Sequence, residues 1–375
     1  MSGPLSGLTV VEMAGLGPAP LAGQFLADLG AEVIVITRKS GKANPADINN
    51  RGKLSVALNL KTPDGIETAL GLIERADALI EGFRPGVMER MGLGPDTCLA
   101  RNPGLVYGRM TGWGQDGPMA QMAGHDINYL GLTGVLHAIG KKDEPPIPPM
   151  NIAADYAGGT MFLLLGVLSA IYERHHSGRG QVVDAAMVDG APALMALIHS
   201  LIAMGRWSEQ RQSNWLDGGA PFYRTYECSD GKYISVGPLE PQFFAQLVEL
   251  AGLPPEHMAS QNDESEWPQR HDLYAQVFLT KTRDAWTQVF DGTDACVAPV
   301  LTWSEAPQHP HMQAREVFTS VGGVTQVNPA PKFSRSVPDP VTAPPAPGAD
   351  TDSVLTRLGY DAETIAGMRA RGILT

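Results

Sequence analysis

Short apolar runs alternate with amphipathic segments along the first half of the chain. Leu8–Glu12 and Ala31–Thr37 are rich in β-branched residues, which predicts two strands. Between them, Leu21–Leu29 has helical spacing, and Gly30 follows at the point where a helix would end. A strand, a helix and a second strand within about 40 residues predict a βαβ unit and therefore a parallel sheet.

The alternation continues as far as residue 204. Further strands are predicted at Leu54–Leu60, Ala78–Glu81, Leu105–Met110 and Gln181–Ala186. Helices are predicted at Thr62–Ala76, Ala157–His175 and Asp189–Met204, the first of them capped by Thr62. The predicted fold class is therefore α/β, with a large Rossmann-like domain built on a parallel sheet.

The pattern changes after residue 204. Residues 1–204 are predicted to form the large α/β domain, and the turn-rich residues 205–218 a linker. Residues 219–325 are predicted to form a smaller α+β domain. Residues 326–375 are predicted to form an extended, proline-rich arm that returns to the large domain and finishes in a helical stretch.

Three elements are predicted inside the smaller domain. They are a hairpin at Tyr226–Val236, which turns at Asp230-Gly231, and helices at Gln242–Leu253 and His271–Phe290.

Composition and charge exclude several classes of partner. Of 375 residues, 43% are hydrophobic and 18% charged, as in a globular chain. A formal net charge of −12 disfavours nucleic acid and anionic membranes, which attract basic surfaces. No signal peptide is predicted, and the apolar stretch Met161–Ile171 is about half of a membrane span, so the chain is expected in the cytoplasm. The cysteines, Cys98, Cys228 and Cys296, are predicted to be reduced and buried.

A glycine-rich turn follows the first strand. Gly15 and Gly17 lie where dinucleotide-binding proteins place the first glycines of their fingerprint, but Pro20 occupies the third position. A tight strand-to-helix turn is therefore favoured over a nicotinamide site. Arg38 ends the second strand, where a guanidinium suits a phosphate. The cations that follow either converge on one crevice or are scattered over the surface: Lys39, Arg51, Lys53, Lys61 and Arg84.

Histidines and carboxylates are the candidates for proton transfer, since histidine titrates near neutrality and a carboxylate is tuned by its surroundings. His125 follows Gly124 between a loop and a new element, whereas His199 is predicted to be packed in an apolar helix. Asp155 lies where the long apolar helix begins, where a helix-capping acid is the alternative. Glu240 lies between two prolines, where an ordinary loop acid is the alternative.

Segments from residue 3 to about residue 301 resemble the class III CoA-transferase (CaiB/BaiF) family and, within it, the α-methylacyl-CoA racemase branch. The most specific are AGHDINY, which contains His125, LDGGAPFY, and VGPLEPQF, which contains Glu240. The resemblance implies a large α/β domain and a small domain in an interlocked homodimer. Domains of different subunits would meet at the active site.

The resemblance also implies a reaction. The 2R and 2S forms of 2-methylacyl-CoA thioesters would interconvert by proton transfer through an enolate, with no metal and no separate cofactor. His125 and Asp155 would be the two acid–bases, and Glu240 would hold His125. The backbone N–H of Asp126 would serve the enolate oxygen. The residues implied to bind the CoA thioester are Arg38, Leu58, Asn59, Leu60, Lys61, Gly82, Phe83, Arg84, Gly124, Asp126, Ile127, Asn128 and Tyr129.

Three alternatives stay open. A CoA-transferase of the same fold would use Asp155 as a nucleophile, but would not need His125 with Glu240. An NAD(P)-dependent oxidoreductase would need the intact glycine fingerprint. A non-catalytic CoA-binding protein would not need three separated titratable residues. The acyl chain also stays open, because Met110, Met187, Met195 and Met204 fit either an adaptable acyl floor or a plain core.

Overall fold

The computed structural model describes residues 2–375 and divides the chain into two units. The first unit comprises residues 2–133, 149–194 and 313–375, and the second comprises residues 134–148 and 195–312. Residues 134–148 and 195–204 were predicted within the large domain but group with the second unit. Residues 313–325 were predicted in the small domain but group with the first.

A parallel sheet forms the centre of the first unit. Its strands are β1 (Thr9–Met13), β2 (Glu32–Thr37), β3 (Leu54–Ala57), β4 (Ala78–Glu81), β5 (Val106–Thr111) and β6 (Val182–Ala186). They pair in the order β3-β2-β1-β4-β5-β6. The central strands are buried almost throughout, as strands covered on both faces are. The predicted α/β fold is confirmed.

Helices connect these strands. They are α1 (Pro18–Asp28), α2 (Pro63–Glu74), α3 (Val87–Arg90), α4 (Pro95–Arg101), α5 (Asp126–Leu132), a π-helix (Ile152–Thr160), α6 (Met161–Ser177) and α7 (Met187–Ala193). The hydroxyl of Thr62 accepts the N–H of Gly65 at 3.1 Å, so Thr62 caps α2 as predicted. Gly178, with φ of 72°, ends α6 in the left-handed conformation that glycine adopts without strain.

The π-helix and α6 form one continuous apolar run. Ile152–Ser177 spans 26 residues with a mean hydropathy of 1.5 over its most apolar window, which is long and apolar enough to cross a membrane. The apolar run is therefore longer than the half of a membrane span that the sequence predicted. Leu163 and Val167 pack against Gly108 of β5, as the core helix of a globular unit does, whereas Met161 and Leu165 are exposed.

The second unit contains an antiparallel sheet and its own aromatic core. Strands β7 (Arg224–Glu227), β8 (Tyr233–Val236) and β9 (Val297–Pro299) pair in that order, and the helices are α8 (Ala196–Ala203), α9 (Pro241–Ala251), α10 (Trp267–Phe278) and α11 (Arg283–Phe290). The core includes Phe222, Tyr226, Phe278 and Trp286. The predicted hairpin and the helix after Glu240 are present.

Several local predictions are wrong. The segments predicted as helices Asp189–Met204 and His271–Phe290 each form two helices. His199 is exposed on α8 rather than packed in a core, and Cys296 is exposed whereas Cys98 and Cys228 are buried.

The last part of the chain returns to the first unit. After α12 (Pro310–Ala314) come β10 (Phe318–Val321), β11 (Val324–Val327), α13 (Thr351–Leu358) and α14 (Ala362–Ala370). Residues 328–350 contain no helix or strand, as expected of an extended arm. Ser55 donates its N–H to Asp350 at 2.9 Å, and Leu58 forms a β-bridge with Leu374. The 3-10 helices are Ile48–Asn50, Leu136–Ala138, Pro255–Ser260, Glu264–Glu266 and Ala306–Gln308.

Candidate active site

The strand order places a crevice at the carboxyl ends of β1 and β4. After β1 the chain continues to β2 on one side, and after β4 it continues to β5 on the other, so the loops that follow these two adjacent strands separate. Ligands of open α/β sheets bind at such a switch point. A cavity of about 460 Å³ occupies this place, a volume typical of small-molecule sites. It is lined by Leu16–Ala19 after β1, Gly82–Pro85 after β4 and Thr111–Trp113 after β5.

The start of α1 lines this cavity but offers few hydrogen-bond donors. Gly17 precedes the helix with φ of 76°, and Pro18 and Pro20 occupy the first and third helical positions. A helix N-terminus binds a pyrophosphate through its free backbone N–H groups, and neither proline has one. The structure therefore has the tight strand-to-helix turn that the sequence favoured over a dinucleotide fingerprint.

His125 lines the cavity and lies directly before α5. Its backbone is extended, and its N–H donates to the side-chain oxygen of Asn128 at 3.1 Å. The side chain is exposed and lines the cavity. An imidazole in this position is open to a ligand rather than fixed in the core.

Asp155 lines the same cavity from the π-helix. π-Helices are rare and are frequently found at functional sites. The Asp155 side chain accepts a hydrogen bond from the amide of Asn151 at 3.3 Å. Burial raises the pKa of the Asp155 carboxyl, and the nearby Asp126 carboxylate raises it further, whereas Asn151 and His125 act in the opposite direction. His125 and Asp155, predicted from separate segments, are thus brought to one cavity.

The Asp126 side chain connects the two helices that carry these residues. It is 4% exposed, and its Oδ2 accepts the N–H groups of Ala154 and Asp155, both at 2.8 Å. The resemblance implied that Asp126 binds the thioester and serves the enolate oxygen through its backbone N–H, and it implied nothing for the Asp126 side chain. Its partners lie 28 and 29 residues further along the chain, beyond any local signal.

Two aromatic rings form one wall of the cavity. Trp113 and Tyr129 meet edge to face with centroids 4.7 Å apart, and the Tyr129 hydroxyl donates to the carbonyl of Gly124. Burial and the nearby Asp155 carboxylate raise the pKa of Tyr129. A Cβ on Gly124 would lie 2.7 Å from the Tyr129 ring, and one on Gly112 would overlap it. The wall therefore requires glycine at both positions.

We expect Gly112→Ala to lower the free energy of unfolding by about 1–3 kcal/mol, because the added methyl group displaces Tyr129 from a filled site. Gly71→Ala is the matched control. Gly71 lies in α2 with open space around its Cα, so the same change should raise stability by about 0.5–1 kcal/mol. Denaturant unfolding of both variants checks this, and equal effects would show that the contact at Tyr129 is unimportant.

Charged side chains around the end of β4 bind the loop that follows this strand. Glu81 accepts the N–H of Phe83 at 2.7 Å and pairs with Arg109 at 3.0 Å, and Arg109 also pairs with Glu89 at 2.8 Å. Gly82, Phe83 and the exposed Arg84 line the cavity. Arg84 is thus the cation among the cavity-lining residues.

The other residues implied to bind CoA lie outside the cavity lining. Arg38, after β2, and Lys61 are exposed, whereas Leu58 is 1% exposed and belongs to the core. Asn59 binds the carbonyl of Gly372 through its side chain at 3.0 Å. Asp126 is buried and does not line the cavity. Leu60, Ile127 and Asn128 are likewise not among its lining residues. Their roles stay predictions.

Two of the candidate phosphate-binding cations are structural. Arg51 is 1% exposed and pairs with Asp28 at 2.6 Å. Lys53 is 4% exposed and pairs with Glu12 at 2.7 Å. Neither side chain reaches solvent, so the prediction that the cations after Arg38 either converge on one crevice or lie on the surface is wrong for these two.

Glu240 lies in the second unit, directly before α9. Its backbone is extended and its side chain is exposed. Burial of the Cys296 thiol raises its pKa, and the negative charge of Glu240 raises it further. The pairing of Glu240 with His125 stays a prediction. Among residues 2–375, no group of three or more His, Cys, Asp or Glu side chains is placed to hold a metal ion.

Comparison with known proteins assigns the family. The sequence profile of CoA-transferase family III matches residues 5–351. The chain belongs to this family. The resemblance found in the sequence is therefore confirmed over most of the length of this CoA-transferase family III protein.

Two racemases and one protein of known structure are similar to nearly the whole of this chain. The α-methylacyl-CoA racemase of Mus musculus is 44% identical over 372 residues, which cover 99% of this chain and 97% of that protein. The α-methylacyl-CoA racemase of Homo sapiens is 40% identical with the same coverage. A CAIB/BAIF family protein from Brucella suis has a similar structure, with a TM-score of 0.80 at 26% identity over 96% of this chain and all of that one.

Proposed function

We propose that this chain interconverts the 2R and 2S forms of 2-methylacyl-CoA thioesters. The observation that carries the proposal is that His125, directly before α5, and Asp155, in the π-helix, line one cavity at the switch point of the sheet. Inverting a carbon needs one group to remove its proton and another to deliver a proton to the opposite face. The similarity to two α-methylacyl-CoA racemases supports this substrate class.

In one direction His125 takes the α-proton and Asp155 delivers a proton to the enolate, and in the other direction the roles reverse. A half-buried carboxyl with a raised pKa suits this exchange, because it holds its proton more tightly than an ordinary aspartate does. The N–H of Asp126, at the positive end of α5, would donate to the enolate oxygen. The chemistry needs no metal and no separate cofactor.

The CoA portion is proposed to extend from the cavity past Arg84 toward Arg38 and Lys61, whose exposed cations suit its phosphates. We also propose a cytoplasmic homodimer in which Glu240 of the partner subunit holds His125. Exposed apolar residues on α6, among them Leu165 and Tyr172, are suited to such an interface. Sedimentation equilibrium of the purified protein would test the dimer.

The test incubates the protein with one enantiomer of a 2-methylacyl-CoA in deuterated water without a second acid. We expect deuterium to enter the α-position as optical purity falls. Absence of exchange, with CoA passing to an added acid, would overturn the proposal and make Asp155 a nucleophile, as in the rival transferase.

A further inference from the structure

We propose that the side chain of Asp126 is a positioning residue that fixes Asp155 and His125 relative to each other. The inference deepens the proposed function and rests on it. It assigns to Asp126 a role separate from that of its backbone N–H. The role is carried by a carboxylate that does not line the cavity.

The start of the π-helix needs hydrogen-bond acceptors from outside the helix. The first N–H groups of a helix have no partner within it, and buried N–H groups must find one. Oδ2 of Asp126 accepts two of them, at 2.8 Å each, and one belongs to Asp155 itself. The Asp155 backbone is thus fixed by a charge-assisted bond.

Asp126 also adjoins the other proton carrier. It is the first residue of α5 and directly follows His125, so its backbone is joined to His125 while its carboxylate binds the N–H of Asp155. Oδ1 is buried and has no hydrogen-bond partner among the described residues, although nearly all buried oxygens have one. A carboxylate held in this way costs stability, which indicates that the site needs its charge and not only its shape.

Several polar groups surround the Asp155 carboxyl. Those that shift its pKa are Asp126 at the start of α5, His125 directly before it, and Asn151, while the Asp155 carboxylate in turn raises the pKa of Tyr129. Asp126 is the anion of this set and opposes ionisation of Asp155. It therefore favours the protonated form that must deliver a proton to the enolate.

Three variants separate these contributions. Asp126→Asn keeps an oxygen acceptor for both N–H groups but removes the charge. We expect kcat and KM near neutrality to change less than about tenfold, while the acidic limb of the pH profile for the direction in which Asp155 is the base moves to lower pH. Asp126→Ala removes the acceptor, and we expect kcat to fall about 100-fold with a smaller effect on KM.

The third variant, Asp116→Asn, removes an exposed carboxylate from the loop after β5 and is the control. It should leave all three quantities unchanged. Equal kcat values for Asp126→Ala and wild type, or an unmoved acidic limb in Asp126→Asn, would overturn the proposal.

A measurement independent of turnover keeps the two proposals distinguishable. Carbon-13 NMR of labelled aspartate follows the titration of Asp155 in each variant, with Asp155→Asn identifying its signal. We expect the pKa of Asp155 to fall in Asp126→Asn whether or not the protein racemises the chosen thioester. An unchanged titration would refute the positioning role, whereas absence of racemisation in wild type would refute only the proposed function.

Discussion

His125→Ala should lower the rate of racemisation by about 10²–10⁴-fold, the usual contribution of a positioned acid–base group. His125 is exposed and lies before α5 rather than in a core, so the fold should stay intact. His175→Ala, at the exposed end of α6, is the control and should keep full activity. Racemisation is measured by loss of optical purity, and unfolding by circular dichroism.

Exchange of the α-proton without inversion tests each of the two bases separately. If His125 and Asp155 serve opposite faces of the α-carbon, each single variant keeps the base for one face. His125→Ala should then still exchange the α-proton of one enantiomer with deuterated water, and Asp155→Asn that of the other, both without inversion. Exchange of the same enantiomer by both variants would contradict the two-base assignment.

Lys53→Ala should lower the free energy of unfolding by about 3–5 kcal/mol, because it leaves the buried carboxylate of Glu12 without its counter-charge. The Lys53 ammonium donates to both oxygens of Glu12, at 2.7 and 2.9 Å, and to the carbonyl of Pro20 at 2.9 Å. The space is filled, since a Cβ on Gly23 would overlap Glu12. Lys42→Ala, at an exposed lysine, should change stability by less than about 0.5 kcal/mol.

The double variant Glu12→Leu with Lys53→Met separates lost charge from lost packing. Replacing both partners with apolar groups should recover most of the stability lost in Lys53→Ala. Burial raises the pKa of Glu12 to about 7, so the folded state binds a proton more tightly than the unfolded state does. Stability from this group is greatest below the unfolded value of about 4.5 and falls as the pH rises through 7. The double variant should lose this slope.

The sequence predicts the elements whose signals are local. β1, α1 and β2 follow from β-branched runs and from Gly30, and α2 from its cap at Thr62, so the α/β class and the parallel sheet could be recognised. The position of the site also follows, because loops after parallel strands share one edge.

Long-range partnerships could not be predicted in this way. Lys53 looks like a surface cation until Glu12, 41 residues earlier, is folded against it. The π-helix at Asp155 depends on a carboxylate 29 residues before it, and the helix predicted from periodicity, Ala157–His175, begins after Asp155 and misses the first part of the π-helix. The same holds for Cys296 and His199, whose exposure depends on the surroundings rather than on residue type.

The return of the chain to its first unit has a consequence for folding. Asn59 at the end of β3 donates its N–H to the carbonyl of Ile373 at 2.8 Å, and Val354 and Leu355 lie in the core of that unit. These contacts span about 300 residues, so the sheet cannot acquire its full core on the ribosome until the last helices have been synthesised. The second unit, whose chain is finished earlier, can reach its native packing first. The first unit should therefore be the slower of the two to mature and the one most exposed to aggregation.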